Sequence, residues 1–274
     1  MFPETTINRV RQDLEQHVPA AGNFDGVQSS TSVVTGLLSK SHDYAISMVG
    51  HEVFLKVVDY FLSEQAGPFQ IAPGIGATVT IKPQLDSTLG AFVHPGGQPQ
   101  ALHRDDVDRA NVQPAVEHYV LGRDTNVTML SALTETTGAN GATRVIPGSH
   151  LWDYNRPIPD SGDSSLIDAD LRPGDSLFIL GSVIHGAGGN STAASRAKVA
   201  VFATRGRLRQ MENQFLACDM ETVAKFPQWL QRFMGYSIGQ PATGWVDKKD
   251  PLLVVNPESR PSEDLWDQSL NSFH

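Results

Sequence analysis

From about residue 68 onward the chain is built of short runs of Val, Ile, Thr and Phe, each closed within a few residues by Gly, Pro or Asp. That punctuation keeps long helices out of its middle, because Gly and Pro break the helical ladder while β-branched side chains suit a pleated surface. The clearest runs are residues 78–81, 89–93, 127–133, 176–180 and 199–203. Many short strands at this spacing specify an antiparallel, many-stranded domain.

The flanks read differently. Residues 1 to about 65 are expected to be mainly helical: Ile7, Val10 and Leu14 recur at helical spacing, and residues 51–62 repeat an apolar stripe at three and four. A Gly/Ser/Thr-rich connection lies between them. Residues 221–234 predict one helix, with Val223, Phe226, Leu230 and Phe233 on one side and Gly235 as its stop. The part of that stripe from Phe226 to Phe233 is read as core rather than a cofactor surface, with a further contribution to a homodimer interface left open. Residues 155–165, carrying Pro157, Pro159 and Gly162, have no periodicity and read as a long loop. With no repeat and no dividing linker, the expectation is one domain over 1–274: a mainly helical part at 1–66, a β core at 67–210, and a C-terminal helix and tail at 211–274.

Composition narrows the partners. Against 30 Asp+Glu the chain has 21 Lys+Arg, a formal charge of -9, so binding to nucleic acid by charge is not expected. No run approaches the roughly 20 apolar residues of a membrane span, and the N-terminus lacks a secretory pattern. One cysteine, Cys218, excludes an intramolecular disulfide and points to a reducing, cytoplasmic setting. Sequons at Asn126 and Asn190 are read as chance matches. The remaining partner is a small molecule.

The chemistry concentrates in Gln100-Ala101-Leu102-His103-Arg104-Asp105-Asp106. In an extended segment His103 and Asp105 share a face and can reach one metal. A third ligand is offered by His185, at the end of an apolar strand that a barrel could lay beside the first. Two imidazoles and one carboxylate leave three octahedral positions open, the pattern of non-haem Fe(II) oxygenases. A His-x-Asp pair alone is weak, since a surface histidine beside an acid is common. Its company strengthens it: His185 precedes Gly186-Ala187-Gly188-Gly189-Asn190, and Arg196 follows just before an apolar strand, where a guanidinium can hold a carboxylate bidentately at the bottom of an apolar barrel.

These motifs come in a definite order: Gln100 to Asp106, residues 140–152 (Asn-Gly-Ala-Thr-Arg-Val-Ile-Pro-Gly-Ser-His-Leu-Trp), Arg172-Pro173-Gly174-Asp175, then His185 to Asn190 and Arg196. In that order the sequence resembles the phytanoyl-CoA dioxygenase family of Fe(II)/2-oxoglutarate enzymes, most of all its fungal secondary-metabolite branch, over roughly residues 80–250. The resemblance implies a mainly β fold with flanking helices, a double-stranded β-helix or cupin-like jelly-roll barrel. It implies that His103, Asp105 and His185 form the iron triad. Arg196 matches the residue that pairs with the distal carboxylate of 2-oxoglutarate, and Gln100 and Thr143 match polar contacts of the same cosubstrate. The implied cofactors are Fe(II), 2-oxoglutarate and O2, with ascorbate as a reductant. The implied reaction couples decarboxylation of 2-oxoglutarate to hydroxylation, desaturation or oxidative rearrangement of a small apolar natural product. Asp105 stands where related halogenases carry a small residue, which predicts against chlorination. Family members usually carry about thirty more residues and a flanking strand before the first helices, so that strand is expected either to be supplied differently or to be lacking at the N-terminal sheet edge.

Competing readings attach to particular residues. An acyl-CoA or lipid hydroxylase would use Arg205, Arg207 and Arg209 on phosphates, although three such arginines more often form a carboxylate-paired face. A zinc hydrolase would share the ligands but have no use for a 2-oxo acid. A non-catalytic barrel binding protein would not need the full set of His103, Asp105, His185 and Arg196. His150 is read as structural, and His94 as either a pocket-mouth residue or a solvated strand end. Residues 155–165 and 72–77 are expected to act as lids.

Overall fold

The computed structural model describes residues 1–19 and 30–259. In chain order its regular elements begin with α1 (Glu4–Glu15), β1 (Thr31–Thr35) and α2 (Glu52–Leu62), followed by β2 (Glu64–Ala72), β3 (Ile75–Ile81) and β4 (Gln84–Val93). Then come β5 (Asn126–Ala132), β6 (Thr143–Val145), β7 (Ile167–Ala169), β8 (Ser176–Leu180), β9 (His185–Ala187) and β10 (Arg196–Thr204). Four short helices close the described chain: α3 (Gln214–Ala217), α4 (Met220–Lys225), α5 (Gln228–Phe233) and α6 (Leu252–Val255).

Strand alternation sets the architecture. Along β10, Ala197, Val199, Val201 and Ala203 face an apolar core, whereas Arg196, Lys198, Ala200 and Phe202 line a cavity on the opposite face. This strand is the centre of a five-stranded antiparallel sheet ordered β1-β4-β10-β5-β8. Helices cover its outer face: Ile7, Val10 and Leu14 of α1, Phe54, Val58 and Leu62 of α2, and Leu230 and Phe233 of α5 all join the core behind it. Each such burial contributes about 1.5–3 kcal/mol before chain entropy is charged against it. A three-stranded antiparallel sheet, β7-β6-β9, supplies the other side of the cavity. This is the expected mainly β arrangement of two sheets with flanking helices, and all five anticipated strands are present.

Several expectations are corrected. Residues 31–35, read as part of a polar connection, form β1, which pairs with the last five residues of β4 and is an edge strand of the five-stranded sheet. Residues 20–29 of that connection and the tail from residue 260 lie outside the described residues. Residues 221–234 are not one helix: Pro227 has no N–H and forces Phe226 to ψ 151°, which separates α4 from α5. The apolar stripe nevertheless fills this chain's own core, with Val223 and Leu230 fully buried. Residues 72–77 turn the β2–β3 hairpin, and none of them lines the cavity. Residues 155–165 form the irregular loop expected of them. Asn126 and Asn190 are buried, in keeping with chance sequons. Among the described residues no helix is long and apolar enough to cross a membrane.

Candidate metal centre

Backbone pairing brings the two histidines together. His103 and His185 form an antiparallel bridge, with N–H to O distances of 2.9 and 3.0 Å in the two directions, and their ring centroids lie 4.6 Å apart. Arg104 is extended, at φ -114° and ψ 137°, so Asp105 projects to the same side as His103 before the chain tightens into a 3-10 turn at Asp105–Arg109.

The histidine tautomers follow from their partners. His103 Nδ1 lies 2.9 Å from the Ala101 carbonyl and His185 Nδ1 lies 3.0 Å from the Val183 carbonyl. A carbonyl can only accept, so each Nδ1 carries the proton and each Nε2 keeps a free lone pair. Both Nε2 atoms face Asp105 Oδ1, at 3.4 and 3.6 Å, and one ligand atom from each of the three residues lies within 4.8 Å of the others. Ligand atoms about 2.1 Å from one ion and at right angles would stand about 3 Å apart, so the cluster needs little closure to chelate a cation. Thr128 Oγ1 donates to Asp105 Oδ2 at 3.2 Å and orients the carboxylate from behind.

Burial opposes the charge on Asp105, but the two imidazoles outweigh it and hold the carboxyl below its usual range. Burial also leads at His185, where it prevails over Asp105 and favours the neutral ring. At His103 burial is overcome by the hydrogen bond to Asp105, and the ring titrates above the ordinary histidine value.

The three side chains open onto a cavity of about 290 Å3 between the sheets, which Gln100, Thr143 and Arg196 also line. All six residues singled out in the sequence therefore meet in one place. Arg196 is 1% exposed, and none of Nε, Nη1 or Nη2 has a hydrogen-bond partner among the described residues. Its burial alone lowers the guanidinium pKa to about 10. Gln100 Oε1 accepts from the Ala187 N–H at 3.2 Å, tying the segment before His103 to β9.

Lys198 escaped the sequence reading. It shares the cavity face with Arg196, donates to Thr143 Oγ1 at 3.1 Å across the gap between the sheets, and is pushed down to about 7 by burial, with Arg196 adding to the shift and Asp105 opposing it. Its signal was the strand period of two, which places residues 196, 198, 200 and 202 on one face. Thr128 and the apolar wall of Val33, Leu89, Leu130 and Phe202 were likewise not anticipated.

Other candidates fall elsewhere. His94 bridges Ser32 Oγ and Ser195 Oγ at 3.0 Å each and does not line the cavity. His150 sits beside the Tyr119 ring, centroid to centroid 5.8 Å, consistent with a structural part. Arg205 and Arg207 both pair with Glu64, the carboxylate-paired alternative, which leaves a phosphate contact by these two without support. Residues 155–165 contribute nothing to the cavity lining.

A family model described as phytanoyl-CoA dioxygenase (PhyH) matches residues 1–198. Dioxygenase cnsJ of Penicillium expansum is 47% identical over 264 residues, spanning 95% of this chain and 78% of that protein. Dioxygenase peniF of Penicillium patulum is 37% identical over 279 residues, spanning 97% and 86%. Among solved structures, HygX from Streptomyces hygroscopicus with nickel, 2-oxoglutarate and hygromycin B bound superposes with a TM-score of 0.57 at 17% identity, over 77% of this chain and 82% of that one. The alpha ketoglutarate dependent carbocyclase SnoK from nogalamycin biosynthesis superposes at 0.51 with 16% identity, over 74% and 76%. The structural likenesses show a common jelly-roll fold. By the extent of the family match and by alignments with two Penicillium dioxygenases that span nearly all of this chain, the chain belongs to the phytanoyl-CoA dioxygenase family.

Proposed function

We propose that this chain is an Fe(II)- and 2-oxoglutarate-dependent dioxygenase that oxidises a C–H bond of a small apolar natural product in secondary-metabolite biosynthesis. The observation that carries this reading is Arg196: three buried, unpartnered guanidinium nitrogens in a cavity that also holds the His103–Asp105–His185 cluster. A cation kept out of water without a protein partner is a costly arrangement unless an anionic ligand completes it. A dicarboxylate 2-oxo acid supplies one carboxylate for Arg196 and a chelating end for a metal.

In this reading His103 Nε2, His185 Nε2 and Asp105 hold Fe(II), with both rings oriented by their backbone-bonded Nδ1 atoms. When bound, the iron couples decarboxylation of 2-oxoglutarate by O2 to oxidation of the substrate, yielding succinate and CO2. Arg196 fixes the far carboxylate and so sets the position of the whole cosubstrate. Gln100 and Thr143 are its proposed polar neighbours, and ascorbate serves only as an external reductant. The wall of Val33, Leu89, Leu130 and Phe202 excludes water and presents a surface that an apolar substrate can wet. A single, buried cysteine suits a reducing compartment, and the cytoplasm is the proposed location.

The test is turnover. With Fe(II), 2-oxoglutarate and air the purified protein should form succinate slowly even without its substrate, and faster with an extract of fungal apolar metabolites. His185→Ala should abolish both rates while the protein stays folded. Succinate formation that persists in His185→Ala would sink the assignment.

A further inference from the structure

Lys198 is a half-buried cation on the cavity wall to which the proposed function gives no role. It is largely enclosed on the cavity face of β10, two positions from Arg196, and among the described residues its one hydrogen bond runs to Thr143 Oγ1 at 3.1 Å. Among the described residues no carboxylate lies within ion-pairing distance of it. A neutral hydroxyl offsets little of the cost of desolvating an ammonium, and a second cation on the same face adds to it. Two like charges enclosed together are stable when an anion lies between them. Thr143 reinforces the point: its oxygen accepts from Lys198, which leaves its own O–H free to donate.

We propose that Lys198 is a second positioning residue for the distal carboxylate of the cosubstrate, which it shares with Arg196 and the Thr143 hydroxyl, and that this pair of cations makes the site select a 2-oxo diacid over a 2-oxo monoacid. The inference rests on the cosubstrate assignment under Proposed function. Register supports it. Lys198 stands opposite Ala91 and Ala132, both small, so its side chain has room to cross toward β6. Thr143 pairs with Ala187, two residues beyond His185, which puts the Lys198–Thr143 bridge one strand repeat, about 7 Å, from the metal-facing histidine. A five-carbon diacid chelated at the cluster spans about that distance with its far carboxylate.

The experiment is equilibrium binding under nitrogen to protein loaded with Mn(II), read by calorimetry, with 2-oxoglutarate and with 2-oxopentanoate, which lacks the second carboxylate. Wild type should bind the diacid at least 100-fold more tightly than the monoacid. Lys198→Met should weaken the diacid about tenfold or more, as expected for a lost charge-assisted hydrogen bond, and leave the monoacid within twofold of wild type. Lys198→Arg should recover most of the loss. An unchanged diacid affinity in Lys198→Met would overturn the proposal, and so would an equal weakening of both acids, which marks a merely structural role. Should Lys198→Met fail to fold, Lys198→Gln keeps a donor for Thr143 and answers by the same comparison. Wild type that binds neither acid would overturn the cosubstrate assignment itself, and the role of Lys198 with it.

Discussion

Arg196 opens β10 and Arg205 follows its last residue; both are buried, at 1% and 6% exposure, yet the fold treats them in opposite ways. Arg205 is saturated: Nε donates to the Asp124 carbonyl at 2.8 Å, Nη1 to Glu64 and Nη2 to the Gly122 carbonyl. Among the described residues Arg196 has no hydrogen-bond partner for any of its three nitrogens. Burying a guanidinium is unfavourable by several kcal/mol unless it is paired. At Arg205 the chain supplies the pairing itself, so that residue belongs to the fold. At Arg196 the pairing is left to a ligand, so that residue belongs to the site.

The contrast can be broken by substitution. Arg196→Met should lower affinity for 2-oxoglutarate roughly 100-fold or more, by removing a bidentate charged contact, while the thermal midpoint of the ligand-free protein holds or rises. Calorimetry beside a melting curve checks both halves. Arg205→Met should do the reverse: a loss of about 3 kcal/mol in unfolding free energy, with 2-oxoglutarate affinity of the folded fraction unchanged. A stability loss in Arg196→Met as large as that in Arg205→Met would erase the distinction.

Lys198 sharpens it through pH. Its folded-state pKa of about 7 lies below the ordinary lysine value of 10.5, with burial the leading cause. Arg196 on its own strand, Asp105 on the segment after β4 and His185 on β9 are the charged or titratable groups that act on it. Between about pH 7 and 10.5 the unfolded chain therefore binds the extra proton, and folded stability rises with pH across that window. Metal-free Lys198→Met should be more stable than wild type near pH 7, with the gap closing by about pH 10. A gap independent of pH, measured by urea unfolding, would contradict the burial of a charge there. The smallest effect is expected at Thr128→Val, which removes the hydrogen bond that orients Asp105 and should weaken Mn(II) binding about tenfold without altering the fold.

The site was legible to the extent that local spacing carries it. His103 and Asp105 are two apart in an extended segment, and Arg196 begins an apolar run, so their faces follow from the strand period. Ordered motifs joined Gln100, Thr143 and His185 to them. Lys198 was equally open to that period, but a lysine at the start of a strand reads as solvated unless the cavity is known. Thr128 could not be read, because its role depends on β5 passing behind Asp105, a contact between distant segments. In the fold, the five apolar strands were plain from their composition. β1 was hidden by its Thr and Ser residues, and β9 by its Gly-rich surroundings. Pro227 was visible in the sequence and should have divided the C-terminal helix; the periodic stripe on either side of it masked the break.

The most direct test of the central claim is an anaerobic titration of the metal-free protein, first with Fe(II) and then with 2-oxoglutarate, watching for the weak visible charge-transfer band of a chelated 2-oxo acid. The account predicts a band that saturates at one 2-oxoglutarate per chain, vanishes in His185→Ala, and in Arg196→Met returns only at far higher 2-oxoglutarate. A folded, iron-loaded protein that develops no band at saturating 2-oxoglutarate would contradict it.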